Sequence, residues 1–255
     1  MRAKLLHHLP ATLLLLALFG AWEAAVRAGA VPPYLLPAPS QIAATLAGDW
    51  PSYAQAWGFT LRITLGALAL ACLSGIVGAA AFALSPTLER TLMPLAIGLQ
   101  VTPLVAIAPL ILIYVDSTTA ALLLCAWVVA FFPILSNTLA GLRATDARLG
   151  ELFSLYRASR WQRLRWLLLP SSAPYFLAGL RIGAGLALIG AVVAEFAAGA
   201  AGRESGLASR MLEAMFRTDM PRMFASLALV VATGLGLYAA VAVLERLWVG
   251  RWRGR

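Results

Sequence analysis

The run "LILIYVDSTTAALLLCAWVVAFFPIL", residues 110–135, carries a single charge, Asp116. So long an apolar stretch fits a hydrocarbon layer, since one about 30 Å thick takes roughly 20 apolar helical residues to cross. In lipid each open backbone group costs several kcal/mol, so such runs become helices that satisfy their own donors and acceptors. The whole chain agrees: 61% of its residues are hydrophobic, 12% are charged, and its mean hydropathy is +0.83. These values lie outside the balance of a soluble domain.

The spacing of apolar runs predicts spans at 10–30, 58–84, 92–115, 118–139, 174–198 and 223–246. The chain therefore reads as an all-α membrane protein of six transmembrane helices in one domain, 1–255. Pro94, Pro103 and Pro109 each remove a backbone donor, which makes the third span the least regular. Asp116 to Thr118 leave room only for a tight hairpin between the third and fourth spans. The first thirty residues read as a retained helix rather than a cleaved secretory signal, because Glu23 and Arg27 make a poor cleavage region. After the four prolines of 31–40, Ser40 is expected to cap a short interfacial helix.

Charge sets the orientation. Arg2, Lys4, Arg90, the six arginines from Arg143 to Arg165, and Arg246, Arg251, Arg253 and Arg255 fall on one side. Arg27, Arg203, Arg210, Arg217 and Arg222 fall on the other, the last four interleaved with Glu204, Glu213 and Asp219. Positive charge is retained inside, so both termini are expected in the cytoplasm of a multi-pass inner-membrane protein. The net charge of +9 then reflects topology and attraction to anionic lipid, not nucleic-acid binding.

Between the fourth and fifth spans lies "ELFSLYRASRWQRLRWLLLPSSAP", with Arg157, Arg160, Arg163 and Arg165 close together. Asp146 is placed to cap a helix whose Leu149, Leu152, Phe153 and Tyr156 form an apolar stripe, with Arg148 and Glu151 paired on the other face. Ser159 and Gln162 form a capping-box pattern that opens a second helix, expected to stop at Pro170. An apolar stripe flanked by arginines is a docking surface, for a protein or, with Trp161 and Trp166 as anchors, for headgroups.

The order "DARLGELFSLYRASRWQRLRWLLLPSSAPYFLAGLRIG" resembles the EAA loop of ABC-importer inner-membrane permeases, and residues 55–250 resemble the sulfonate, nitrate and taurine group. "FFPILSNTLAGLRATD" at 131–146 and "VVAEF" at 192–196 stand where that group has similar strings. The resemblance implies a type I importer fold with a cytoplasmic two-helix coupling loop at 143–170. It implies as partners a cytosolic ABC ATPase dimer, an extracytoplasmic substrate-binding protein and a second copy of the chain. It places Glu151, Leu152, Phe153, Tyr156, Arg157, Ala158 and Ser159 at the contact with the ATPase. Glu151 matches the motif's glutamate, whereas Leu152 and Phe153 replace its two alanines and Arg157 its glycine. Either the bend is built differently or Arg157 accepts a positive φ at a cost of about 1 kcal/mol. The turn at Asp116 lacks the glycines common in that group.

Lys4 is the chain's one lysine, so no G-x-x-x-x-G-K-[ST] phosphate loop exists in it. ATP and Mg, if used, belong to a partner subunit, and no cofactor is expected on this chain. His7 and His8, the only histidines, sit before the first span, which leaves no HExxH zinc site and no histidine-centred triad. Cys72 and Cys125 fall within spans and read as buried thiols.

Charges inside spans cost at least ~2.5 kcal/mol at the centre unless paired or wetted. Arg181 and Glu195 are fourteen residues apart on one helix, about 21 Å of rise, and so mark its opposite ends. Arg181 is expected to reach cytoplasmic phosphates or, alternatively, the pathway; Glu195 either anchors at the outer interface or lines the outer mouth. Gln100 and Asn137 are read as ties between helices. Gly179 and Gly183 form a G-x-x-x-G on the fifth span, and Gly75 and Gly78 thin the second, for close packing within one subunit or between two. The reading that results is a permease subunit passing a small organic or inorganic anion-like solute. An ion-coupled secondary transporter and a membrane anchor for a cytosolic partner are the rival classes.

Overall fold

The computed structural model describes residues 2–32, 34–199 and 205–253, with backbone alone at 2–9, 11 and 249–253. Arg203 and Glu204 lie outside the described residues, as do the side chains of His7 and His8. In chain order the helices are α1 (Arg2–Arg27), α2 (Pro39–Gly48), α3 (Trp50–Leu84), α4 (Pro86–Val101), α5 (Leu104–Tyr114), α6 (Thr118–Arg143), α7 (Ala147–Leu155), α8 (Arg160–Arg163), a π turn (Leu164–Leu168), α9 (Leu169–Ala198), α10 (Leu207–Phe216) and α11 (Met220–Arg253). Among the described residues, four helices are long and apolar enough to cross a membrane: Trp50–Leu84, Thr118–Arg143, Arg160–Ala198 and Met220–Trp248. A fifth span is reached if α4 and α5 count as one.

The centre of the molecule is α6 packed along α9, with α3 against α6. Glycines set how closely they approach. A Cβ on Gly179 would lie 2.8 Å from the Pro133 carbonyl oxygen, and one on Gly190 would lie 2.8 Å from Ala126 Cα. Across the other interface, a Cβ on Gly75 would meet Ile134 Cγ2 at 2.8 Å. The G-x-x-x-G of the fifth span is thus used within the chain, with dispersion between close backbones as its stabilising force. Hydroxyl and indole groups add ties between helices: Trp127 Nε1 donates to Ser74 Oγ (3.0 Å), and Trp57 Nε1 to Thr233 Oγ1 (2.7 Å).

Three of the differences from the sequence expectation trace to a proline or to a partner distant in sequence. The third span, 92–115, is two helices bent by 102°. Thr102 takes an extended ψ of 125° because it precedes Pro103, and Pro103 has no N–H to continue the ladder. Thr102 closes α4 instead, its Oγ1 donating to the Gly98 carbonyl at 2.7 Å.

The second helix of the insert does not stop at Pro170. It runs from Arg160 to Ala198 as one 39-residue element. Pro170 cannot donate to the Trp166 carbonyl and would crowd it, so the ladder widens for one turn and Leu169 N–H bonds Leu164 O in π fashion.

Ser40 is not the cap of α2. The N-cap is Ala38, whose N–H donates to Gln41 Oε1 at 3.1 Å, and Ser40 sits inside the first turn. There the Glu23 carboxylate of α1 accepts both the Ser40 N–H (3.0 Å) and the Ser40 hydroxyl (2.6 Å), and it pairs with Arg27 (2.6 Å). A carboxylate at a helix N-terminus meets unpaired N–H groups and the positive end of the dipole.

Candidate functional site

The insert between α6 and α9 is built from local signals. Asp146 Oδ1 accepts the Arg148 N–H at 2.9 Å and starts α7. Among the described residues, Arg148 makes no ion pair with Glu151. Ser159 and Gln162 close a reciprocal capping box, with Ser159 N–H donating to Gln162 Oε1 (2.8 Å) and Gln162 N–H to Ser159 Oγ (3.2 Å).

Between the two helices, Arg157 has φ +50°, the left-handed conformation. Ala158 N–H reaches back to the Phe153 carbonyl (2.9 Å) and Arg157 N–H to that of Ser154 (3.0 Å), a Schellman closure. Of the two ways to build the bend, the chain uses the strained one.

This closure presents a hydrophobic tip. Leu155 is 81% and Tyr156 80% exposed, flanked by Leu149 and Leu152 at 44% each, while Phe153 is half-buried. Glu151 and Arg157 are exposed, Ala158 is half-buried, and Ser159 is exposed beside them. Arg163 folds back over α7, so that a Cβ on Gly150 would lie 2.9 Å from its Nη2. Glu151, Ser154, Leu155 and Arg163 line an open cleft of about 670 Å³ there. All seven expected coupling residues therefore lie together on one protruding element.

The two charges inside the fifth span are both partnered. The Arg181 guanidinium pairs with Glu245 of α11 and lies 5.4 Å over the Tyr238 ring. Glu195 is 1% exposed, and its carboxylate accepts from Thr60 Oγ1 (2.8 Å) and the Ala208 N–H (2.9 Å). Arg181 does not mark an end of the helix as expected: it lies near the middle of α9, fourteen residues before Glu195, which is one turn from the C-terminal end, and the two do not form one site. At the insert's end of the bundle, Arg143 pairs with Glu89 and joins α4 to α6 just before α7.

Thr60, Gly206, Glu89 and Glu245 escaped sequence reasoning. Asn137 is half-buried and donates to the Pro133 carbonyl of its own helix (2.8 Å), and Gln100 is exposed.

Comparison with known proteins places this arrangement. Residues 67–250 match the family described as "Binding-protein-dependent transport system inner membrane component". The chain is 34% identical over 249 residues to the riboflavin transport system permease protein RibX of Chloroflexus aurantiacus, covering 96% of this chain and 89% of that one. It is 32% identical over 243 residues to the formylaminopyrimidine transport permease protein ThiX of Halalkalibacterium halodurans, covering 95% of each. In fold it is similar to a solved structure titled "Crystal structure of an amino acid ABC transporter with histidines", with a TM-score of 0.63 at 15% identity, covering 79% of this chain and 96% of that chain. The apolar bundle, the protruding capped insert and these matches agree, and the chain belongs to the family of binding-protein-dependent transport system inner-membrane components.

Proposed function

We propose that the chain is the permease subunit of an ATP-driven importer and forms, with a second copy, the path of a small organic or anion-like solute by alternating access. A cytosolic ATPase dimer docks on the insert, and a substrate-binding protein delivers solute on the opposite face. The observation that carries the reading is the tip formed by Leu155 and Tyr156, exposed and held by a strained closure between α6 and α9. An apolar tip of this kind is made stable in water by a partner that covers it. Because α8 is continuous with α9, displacement of the docked tip tilts a membrane helix directly. Binding and hydrolysis of ATP belong to the partner, consistent with a chain whose one lysine is Lys4.

The solute class is left broad by its relatives, which are named for riboflavin, formylaminopyrimidine, aliphatic sulfonates, taurine and nitrate. Selection among such solutes is assigned to the binding protein. The test is co-purification with an ATPase subunit from membranes. Leu155→Asp or deletion of 151–157 is expected to abolish it while leaving the chain inserted, and undiminished co-purification and uptake in those variants would sink the docking role. Labelling of Leu155→Cys from the external face alone would do the same.

A further inference from the structure

α10 begins without a cap of its own. Its N-cap residue is Gly206, which has no side chain to offer, and residue 207 opens the helix directly. The unpaired N–H groups of this first turn are met instead by α9 and α3. Glu195, one turn before the end of α9, accepts the Ala208 N–H through Oε2 (2.9 Å). Its Oε1 accepts the Thr60 hydroxyl (2.8 Å), and Thr60 Oγ1 in turn accepts the Leu207 N–H (2.9 Å). Each carboxylate oxygen thus has a donor, and the bridging hydroxyl both donates and accepts. Thr60 is 0% exposed, Leu207 and Ala208 are 0%, and Glu195 is 1%. The fit admits nothing larger than glycine at 206, where a Cβ would stand 2.2 Å from Glu195 Oε1.

We propose that Glu195 is a positioning residue: supplied from α9 with Thr60 as its bridge, it caps α10 and makes that helix a rigid extension of α9. Buried hydrogen bonds to a carboxylate are strong, and their loss leaves polar groups unsatisfied in an apolar setting. α10 carries Arg210, which reaches Asp49 Oδ2 (3.7 Å) and lies 5.0 Å over the Tyr53 ring, so the lock also fixes the arginine-lined polar face between α3, α10 and α11. At its other end the same 39-residue helix starts in the insert, about 58 Å away along the axis. The lock stands on its own geometry. The joint motion of insert and α10 rests on the coupling role proposed above.

The experiment uses the full chain in nanodiscs, with Cys72 and Cys125 replaced by Ala and a reporter Ser209→Cys on the first turn of α10, where Ser209 is buried. Thiol labelling by a water-soluble maleimide reads local opening of α10. Thr60→Val, nearly the same shape, and Glu195→Ala are each expected to speed labelling about tenfold, the ratio given by ~1.4 kcal/mol. Gly206→Ala alone should do likewise, yet add little on top of Glu195→Ala, because the group it collides with is gone. Unchanged labelling in Thr60→Val and Glu195→Ala, or a fully additive Gly206→Ala, overturns the lock.

In the complex with its ATPase, trapping the nucleotide-bound state should change Ser209→Cys labelling in the parent but no longer in Thr60→Val, with ATP hydrolysis retained. Equal labelling in both states of the parent overturns the joint motion. Failure to recover any ATPase refutes the importer reading and the joint motion with it, and leaves the lock to be decided by the isolated chain.

Discussion

Arg157 shows how one side chain departs from the motif it resembles without changing the backbone the motif requires. The conformation is left-handed at φ +50°, where a Cβ collides with the neighbouring carbonyl and glycine does not. Arg157→Gly is therefore expected to leave the closure intact and to relieve about 1 kcal/mol of strain, partly offset by greater freedom of the unfolded chain. A raised or unchanged thermal midpoint in detergent with unaltered ATPase association checks this; lost association would mean that the guanidinium itself touches the partner. At this scale the sequence was readable where donor and acceptor are a few residues apart. Asp146 and the Ser159–Gln162 pair lie where their spacing puts them. Ser40 and Glu195 were not readable, because their partners, Glu23 for the one and Thr60 and Ala208 for the other, come from other helices and no local pattern announces them.

At the level of helices, small residues divide into those that hold two backbones together and those that merely thin a surface. A Cβ on Gly179 would press on the Pro133 carbonyl oxygen at 2.8 Å and on Asn137 Cβ at 2.9 Å, whereas one on Gly185 would meet nothing within 4 Å. Gly179→Ala is expected to destabilise the α6–α9 pair by about 1–3 kcal/mol. Gly185→Ala should be neutral or stabilising by up to about 1 kcal/mol. Fraction folded in a denaturing-detergent titration separates the two, and equal effects would refute the packing account. The existence of the long helices was legible from apolar length alone, and so was trouble in the third span from its prolines. The outcome of each proline was not. Pro103 ends a helix, with Thr102 extended before it, while Pro170 is absorbed by a single π turn and the helix continues.

For the molecule as a whole, α6 and α9 form a stiff centre, and α10 and α2 are each fastened by a carboxylate from the helix before them. The elbow between α4 and α5 is the exception to that order. Before the elbow Met93 and Ala96 pack with Leu135 and Leu139 of α6, and after it Leu104 and Ala108 pack with Leu122 and Ala126, so the elbow falls near the middle of the 26-residue α6. Thr102 and Pro103 are exposed there. Irregular backbone at such depth is incompatible with acyl chains, whose only neighbours can be groups that need no hydrogen bond. Thr102→Cys should accordingly react in intact membranes with a small polar maleimide, or be shielded by a cross-linkable second chain; inertness on both counts would mean the elbow faces lipid. The bilayer therefore cannot seal this flank of a lone chain, and the corner is where moisture or a sister subunit must enter the hydrophobic slab.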